Sequence, residues 1–326
     1  MRGEPKAFAQ PGGISWQAQL LNFVSRRLIK RRIERHGLAP RSMRRVIRLL
    51  ELTGASWQGF ATVHRKRIAG VPCDVVYPLN PPPVERVLLY LHGGGFCVHL
   101  PRSYRQFARR LAEAFGATVY LPAYRLAPEH RYPSATDDCL AVYKALVDIE
   151  GHDPRQLGLM GDSAGGNLAL VTLQRARDER LPMPSCAILL SPCTDLGRVH
   201  EGGDGDGDGS AVPRRNAEAD PMIPVSALRL VVDQYVDAAD RAHPHASPLR
   251  GKFKGLPPLK ILAGSTEVLL DDAIDAARAC RAAGVDVDLQ IWEQMLHVFP
   301  LIGFLPEGRL ALAQMVEFFE RHTPST

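Results

Sequence analysis

The chain has 326 residues, of which 45% are hydrophobic and 23% are charged, a balance typical of a globular protein with a large core. This composition excludes a disordered, collagen-like or disulfide-scaffolded protein. The net charge of +5 hides an asymmetry, since residues 1–50 hold 12 Lys and Arg against two Glu and the rest of the chain is net negative. We therefore expect no nucleic-acid partner, because such a protein carries its positive charge on its working domain.

Two features of the sequence bear on its location. No basic start is followed by an apolar run and a small-residue cleavage site, and no apolar run reaches roughly 18 residues. The six cysteines lack any CxxC pair, which is typical of reduced core thiols rather than of disulfides or a zinc site. The sequence therefore predicts a cytoplasmic protein. The cysteines are Cys73, Cys97, Cys139, Cys186, Cys193 and Cys280.

The first 55 residues are predicted to form an N-terminal cap segment. Residues 14–52 have the pattern of a basic helix with apolar side chains near one face. Such a helix could lie on a membrane surface, but a cap helix with a solvated charged face is more common and is favoured here. The apolar residues near that face are Leu20, Leu21, Val24, Leu28 and Ile33.

From about residue 57 onward, short apolar runs alternate with longer helical ones. This alternation predicts right-handed βαβ units and an α/β fold whose mostly parallel sheet is covered by helices on both faces. An antiparallel start is predicted for strands at 59–67 and 72–77, which are separated by an Ala69-Gly70 turn. The other predicted strands are 87–91, 118–121, 157–160, 187–190, 259–263 and 287–292. The predicted helices are 104–115, 135–147, 164–177, 270–283 and 310–321.

Residues 195–236 interrupt this rhythm and are predicted to be a second cap element, inserted between core segments 56–194 and 237–326. The insertion contains the run GGDGDGDG at 202–209 and a helical pattern at 225–236. The aspartates of the run match the opening of a calcium loop, but Arg215 stands at the twelfth position, where a bidentate Glu is needed. A flexible, solvated loop is therefore predicted.

The strongest chemical motif is Gly-Asp-Ser-Ala-Gly at 161–165, placed directly after a predicted strand and directly before a predicted helix. A sharp strand-to-helix turn exposes the serine oxygen at a helix N-terminus, where developing negative charge is favoured. We predict Ser163 as a nucleophile on such a turn. The flanking residues Gly161, Asp162 and Gly165 are expected to support it, with Asp162 as an acceptor for backbone or cap groups.

A second motif, His-Gly-Gly-Gly-Phe at 92–96, follows the predicted strand 87–91. Consecutive glycines at a strand end can present backbone N–H groups to an oxyanion. We predict that Gly93, Gly94 and Ala164 donate to that oxyanion. Supporting roles are expected for His92 and Gly95.

Together these motifs resemble those of the bacterial hormone-sensitive-lipase-like (family IV) esterases of the α/β-hydrolase superfamily. The resemblance covers residues from about 60 to 322. It implies the α/β-hydrolase fold with a helical cap, cofactor-free ester hydrolysis, and a homodimer formed through the last strands. The other matching motifs are YRLAPEHRYPSATDD at 124–138, GDSAGGNLA at 161–169, SPL at 247–249 before GLPP at 255–258, and a late His-Val-Phe.

In this fold the chain order is serine, then acid, then histidine. Two histidines lie late in the chain, and His297 is favoured as the general base because His322 falls in the final turn. For the acid, the position that matches the family's usual Asp holds Glu267, which keeps the carboxylate and adds one methylene of reach. Asp271 and Asp272 are alternatives, although charges at the start of a helix are their more common role.

The resemblance also implies a buried hydrogen-bonded network that supports the oxyanion loop. Its predicted members are Tyr124, Arg125, Glu129 and Asp138. Phe96 and Cys97 follow the glycine run and are predicted to line the substrate pocket. His243 and His245 lack a third ligand at usable spacing, so no metal site is predicted.

The sequence therefore predicts a serine carboxylesterase that acts on small-molecule esters of short or medium acyl length through Ser163, His297 and Glu267. A deacetylase or a lactone hydrolase would use the same three residues. A non-catalytic ligand receptor on this fold is disfavoured because all three residues are present.

Overall fold

A computed structural model describes residues 13–36, 63–201 and 216–323. The predicted loop at 202–209 and its Arg215 lie outside the described residues, as does the part of the predicted cap and first strand between residues 37 and 62. Within the described ranges no helix is both long and apolar enough to cross a membrane.

In the part of the chain that the structure describes, eight strands form one sheet in the order β1-β2-β4-β3-β5-β6-β7-β8. β1 and β2 are antiparallel to their neighbours, and all pairs from β4 onward are parallel. The predicted α/β fold and its antiparallel start are confirmed. The strands are β1 (Val63–Ile68), β2 (Val71–Val76), β3 (Val87–Leu91), β4 (Thr118–Pro122), β5 (Leu157–Asp162), β6 (Cys186–Leu190), β7 (Leu259–Gly264) and β8 (Val287–Trp292).

Helices cover both faces of the sheet, because successive side chains of each strand point to opposite faces and both sets are apolar. In β3, for example, Leu89 and Leu91 pack in one hydrophobic cluster, whereas Leu88 and Tyr90 pack in the other. The helices are α1 (Trp16–Val24), α2 (Arg31–His36), α3 (Pro101–Phe115), α4 (Ser134–Asp148), α5 (Ala164–Asp178), α6 (Arg198–Glu201), α7 (Val225–Tyr235), α8 (Leu270–Ala282) and α9 (Pro306–His322).

The N-terminal segment shows the predicted solvated charged face at Arg26, Arg27, Arg31 and Arg32, but it departs from the predicted pattern at Lys30 and at its apolar residues. Leu20 and Leu28 are 53% and 66% exposed, whereas the side chain of Lys30 is buried. Lys30 is buried because a π-helical segment, Ser25–Lys30, joins α1 to α2 and rotates Lys30 toward the protein. This part of the prediction is wrong because it assumed one regular α-helical periodicity.

The carboxyl ends of the parallel strands gather the chemical motifs at one edge of the sheet, the usual place for a site in an α/β protein. The glycine run follows β3, and Ser163 follows β5. Glu267 lies just beyond β7, and His297 lies beyond β8. Residues that are far apart in the sequence therefore meet because parallel strands end side by side.

Candidate active site

Ser163 occupies the turn between β5 and α5 with a left-handed backbone, φ 53° and ψ −118°. This conformation is strained for a residue with a Cβ, and it is the geometry of a nucleophile on a strand-to-helix turn. The flanking glycines make the turn sterically feasible. A Cβ on Gly161 would lie 2.2 Å from the carbonyl oxygen of Gly165, and a Cβ on Gly165 would lie 2.0 Å from that of Leu91.

A buried histidine–carboxylate pair lies at the same sheet edge. The Nδ1 atom of His297 is 2.9 Å from Oε2 of Glu267, and the two side chains are 6% and 0% exposed. Burial lowers the pKa of His297, but the hydrogen bond and the negative charge of Glu267 outweigh burial, so the pKa is raised above its ordinary value of 6.5. The structure thus brings together the predicted base and the predicted acid.

Ser191, which the sequence analysis missed, connects this pair to the nucleophile turn. Its hydroxyl donates to Oε1 of Glu267 at 2.8 Å and accepts the N–H of Val298, the residue after His297, at 3.1 Å. One residue earlier, the carbonyl of Leu190 accepts the N–H of Ser163 at 2.8 Å. A serine placed directly after strand β6, at the same edge as the other motifs, was the available indication of this role.

The alternative acids and the alternative base have other contacts. The carboxylate of Asp272 accepts the N–H groups of Thr194 and Asp195 at 2.9 and 3.0 Å, so it holds the loop after β6. Asp271 lies in the first turn of α8 and is partly exposed. The ring of His322 contacts the carbonyl of Phe318 within its own helix.

The glycine run corrects one predicted oxyanion donor. The N–H of Gly93 donates to Oδ1 of Asp162 at 2.8 Å and is therefore already occupied. Gly94 has φ +106°, and a Cβ there would lie 2.2 Å from the carbonyl oxygen of Val98. Among the described residues, the N–H groups of Gly94 and Gly95 have no hydrogen-bond acceptor.

Asp162 is a structural acceptor, as predicted. Besides Gly93, its carboxylate accepts the hydroxyls of Tyr90 at 2.6 Å and Tyr104 at 3.1 Å. Burial raises its pKa from 3.8 to about 6, although these donors and the charge of His297 pull it down. One carboxylate therefore ties the nucleophile turn to the glycine run.

The predicted network behind the glycine run is present only in part. The hydroxyl of Tyr124 donates to the carbonyl of His92 at 2.6 Å, and the two rings stack with centroids 4.2 Å apart. Arg125 pairs with Asp138 at 2.7 Å, which fastens the start of this segment to α4. Glu129 is exposed, so its predicted place in a buried network is wrong.

Phe96 and Cys97, the predicted pocket residues, are both buried and contact α7. The ring of Phe96 stacks on Tyr235 of α7 with centroids 3.8 Å apart. The side chain of Cys97 is fully buried, and its Sγ lies 4.0 Å from the carbonyl oxygen of Val231, also in α7. Both residues therefore seat α7 against the glycine run.

The pair His243 and His245 serves a surface loop. Nδ1 of His243 lies 2.8 Å from the hydroxyl of Tyr132 and also accepts the N–H of His245. In the described ranges, no group of three or more His, Cys, Asp or Glu side chains could hold a metal ion.

Comparison with known proteins agrees with this architecture. Residues 88–301 match the model of a family with the α/β-hydrolase fold. An acetyl-hydrolase from Streptomyces hygroscopicus is 39% identical over 228 residues, 70% of this chain and 73% of that protein. An ethyl acetate hydrolase from Pseudomonas putida is 31% identical over 242 residues, 72% of this chain and 73% of that protein.

The crystal structure of an esterase from the bacterial hormone-sensitive lipase family superimposes with a TM-score of 0.83 at 30% identity, covering 95% of this chain and 99% of that one. The chain belongs to the α/β-hydrolase family. Within that family it is an esterase of the bacterial hormone-sensitive lipase branch, and its reaction is the hydrolysis of carboxylic esters.

Proposed function

We propose that the chain hydrolyses short-chain acyl esters through Ser163 as nucleophile, His297 as general base and Glu267 as the acid that orients the histidine. The observation that carries the proposal is the buried His297–Glu267 pair at 2.9 Å, located at the sheet edge where Ser163 occupies a strained strand-to-helix turn. A serine on a strained strand-to-helix turn and a histidine held by a buried carboxylate are two separate parts of a serine triad on this fold.

In this mechanism, Nε2 of His297 takes the proton of Ser163 as the serine oxygen attacks the ester carbonyl. Glu267 keeps the other proton on Nδ1 and stabilises the imidazolium that forms. The tetrahedral intermediate then collapses, and His297 returns the proton to the leaving alcohol. Water attacks the acyl-enzyme by the same steps in reverse order and restores the serine.

We assign the oxyanion to the N–H groups of Gly94, Gly95 and Ala164. Gly93 is not included because its N–H is held by Asp162. Ala164 is the first residue of α5, where backbone N–H groups are not used within the helix and the helix dipole favours negative charge. Donors of this kind are each worth about 10²- to 10³-fold in rate.

The proposed preference for short acyl groups is supported by the relatives named for acetyl groups and ethyl acetate. A deacetylase or a lactone hydrolase remains the second candidate, because the same three residues open any activated acyl–oxygen bond. A receptor without catalysis is disfavoured by the buried His297–Glu267 pair, since an unused pair of this kind carries a desolvation cost.

The test is hydrolysis of p-nitrophenyl esters from acetate to palmitate by the wild type, Ser163→Ala and a matched control, Ser185→Ala. Ser185 donates to the carbonyl of Leu157 at the opposite edge of the sheet. We expect activity to fall with acyl length, to vanish in Ser163→Ala and to persist in Ser185→Ala. Equal activity in wild type and Ser163→Ala would refute the assignment, and activity on lactones alone would favour the second candidate.

We also propose a cytoplasmic location and a homodimer. All six cysteines are buried thiols, which suits a reducing compartment. Fractionation of the native host tests the location, and light scattering of the purified protein tests the oligomeric state. A disulfide-containing secreted form or a monomer at micromolar concentration would contradict these proposals.

A further inference from the structure

A short segment, residues 216–220, lies between the N-terminal helices and the loop that carries Glu267; we call it the 216–220 bracket. On its N-terminal side the bracket receives the ammonium group of Lys30, whose side chain is only 6% exposed. This ammonium donates to three backbone carbonyl oxygens, those of Ala217 at 2.9 Å, Glu218 at 3.0 Å and Asp220 at 2.9 Å. A buried ammonium whose three protons are all used is a fixed anchor rather than a surface charge.

On its other side the bracket holds the backbone around Glu267. The side-chain amide of Asn216 donates to the carbonyls of Ser265 at 2.7 Å and Glu267 at 3.1 Å. Oδ2 of Asp220 accepts the N–H of Val268 at 2.8 Å. Asp220 is fully buried. The bracket therefore holds the backbone before, at and after Glu267.

The π-helical segment Ser25–Lys30 explains how Lys30 reaches this position. In an unbroken α-helix, Lys30 would lie about 120° around the axis from Ala18, the buried residue of α1. The wider π turns bring Lys30 back to the buried face. Single-turn π segments inside α-helices are frequently found at functional sites.

We propose that Lys30, Asn216 and Asp220 are positioning residues, through which the N-terminal segment sets the orientation of Glu267 and the charge balance at His297. The proposal rests on the proposed function, because Glu267 and His297 are its reacting pair. It gives the N-terminal segment a role in the chemical step.

The charge of Asp220 contributes directly. The negative charges of three carboxylates raise the pKa of His297: Glu267, which also holds its Nδ1, Asp220 of the bracket and Asp162 at the end of β5. Burial lowers the pKa of His297, and the hydrogen bond of Glu267 together with these charges raises it. Removing the charge of Asp220 should therefore lower that pKa even if the local fold is unchanged.

The experiment uses the full chain with Asp220→Asn, Lys30→Met and Asn216→Gly. The first removes the charge at similar size, although its NH₂ group must face one of the backbone N–H groups that the carboxylate accepts. The second removes the anchor at similar length, and the third removes the amide at a residue whose φ of +64° suits glycine. Buried controls carry the same chemical changes away from the bracket. They are Asp272→Asn, since Asp272 is 0% exposed, and Lys260→Met, since Lys260 is 2% exposed.

Two measurements are made on each variant: the imidazole titration of His297 by NMR, and kcat and KM for p-nitrophenyl acetate as functions of pH. We expect Asp220→Asn to lower the His297 pKa and Asp272→Asn to leave it unchanged. We expect Lys30→Met and Asn216→Gly to lower kcat at least tenfold with little change in KM, and Lys30→Arg to recover part of the loss.

An unchanged titration in Asp220→Asn would overturn the charge role. Lys30→Met and Lys260→Met are compared at an equal loss of melting temperature. If both then lose kcat to the same extent, the loss reflects stability alone and the positioning role is overturned. If the wild type hydrolyses no ester, the proposed function fails, whereas the NMR titration still reports on Asp220. Asn216→Gly keeps the test available if either charge variant does not fold.

Discussion

Replacing Glu267 by Gln tests the assignment of the acid, because the surroundings of its carboxylate fix which way the new amide points. Oε1 of Glu267 accepts the hydroxyl of Ser191 at 2.8 Å and the N–H of Gly264 at 2.5 Å. The glutamine oxygen must take this position, so the NH₂ group faces Nδ1 of His297. Nδ1 then has to accept, and the ring proton moves to Nε2, where it blocks proton transfer from Ser163.

The expected loss follows from this change of tautomer. An isosteric amide in place of the orienting acid lowers kcat by about 10⁴-fold in a serine triad, which corresponds to about 5.5 kcal/mol of transition-state stabilisation. The acid limb of the pH profile should move as well. In the wild type the acid limb should lie above pH 6.5, because the raised pKa of His297 means that the neutral imidazole forms only at higher pH. Without the charge of Glu267 the acid limb should move to lower pH.

The assay compares kcat/KM from pH 5 to 9 in wild type, Glu267→Gln, Glu267→Asp and Glu307→Gln. Glu307 is the matched control, because it is a 3% exposed carboxylate that accepts the N–H and hydroxyl of Ser15 outside the site. We expect Glu307→Gln to change stability only, and Glu267→Asp to lose less than Glu267→Gln. If Glu267→Gln keeps at least a tenth of wild-type activity with the same acid limb, the acid must be sought at Asp271 or Asp272.

Three further predictions concern residues around the pair. Ser191→Ala should lower kcat by about 10-fold or more and stability by about 1–3 kcal/mol, because the buried N–H of Val298 loses its acceptor. Ester kinetics measure the first effect and urea unfolding the second. Gly94→Ala should lower kcat by about 10²- to 10³-fold, because the added Cβ meets the carbonyl of Val98 and displaces a proposed oxyanion donor. An unchanged kcat would show that Gly94 is not such a donor. Asp162 has a folded-state pKa of about 6 against 3.8, so its own contribution to stability should be largest below about pH 4 and fall by up to about 3 kcal/mol as pH rises through 6. Unfolding of wild type and Asp162→Asn compared from pH 4 to 7 measures this contribution, which the variant should lack.

The sequence was sufficient to predict the sheet and its motifs because their determinants are local. Strand β3 was predicted at its observed bounds, and the helix at 164–177 differs from α5 by one residue. Continuous apolar runs, strand-to-helix glycines and cap residues act over a few positions, so a single sequence displays them. The choice of Glu267 over Asp271 and Asp272 also agrees with the observed hydrogen bond to His297.

What could not be predicted depends on contacts between distant parts of the chain. Ser191 meets Glu267 across 76 residues, and Lys30 meets Asp220 across 190. Neither pairing leaves a pattern within its own segment. The phase of the N-terminal helix was mispredicted for the same reason, because the carbonyls that receive Lys30 belong to the bracket and not to the helix.

The contacts of Asp162 explain why the proposed oxyanion donors differ by one residue from those predicted from the sequence. The two motifs were treated as separate devices, one for the nucleophile and one for the oxyanion, 71 residues apart. In the structure the side chain next to Ser163 accepts the first glycine N–H of the other motif, and two tyrosine hydroxyls complete the same carboxylate. Gly93 therefore fixes the distance between the motifs, and a Cβ there would lie 2.2 Å from Oδ2 of Asp162. In the proposed mechanism the two glycines that follow donate to the oxyanion, so the three glycines would divide the work: one joins the motifs and two donate.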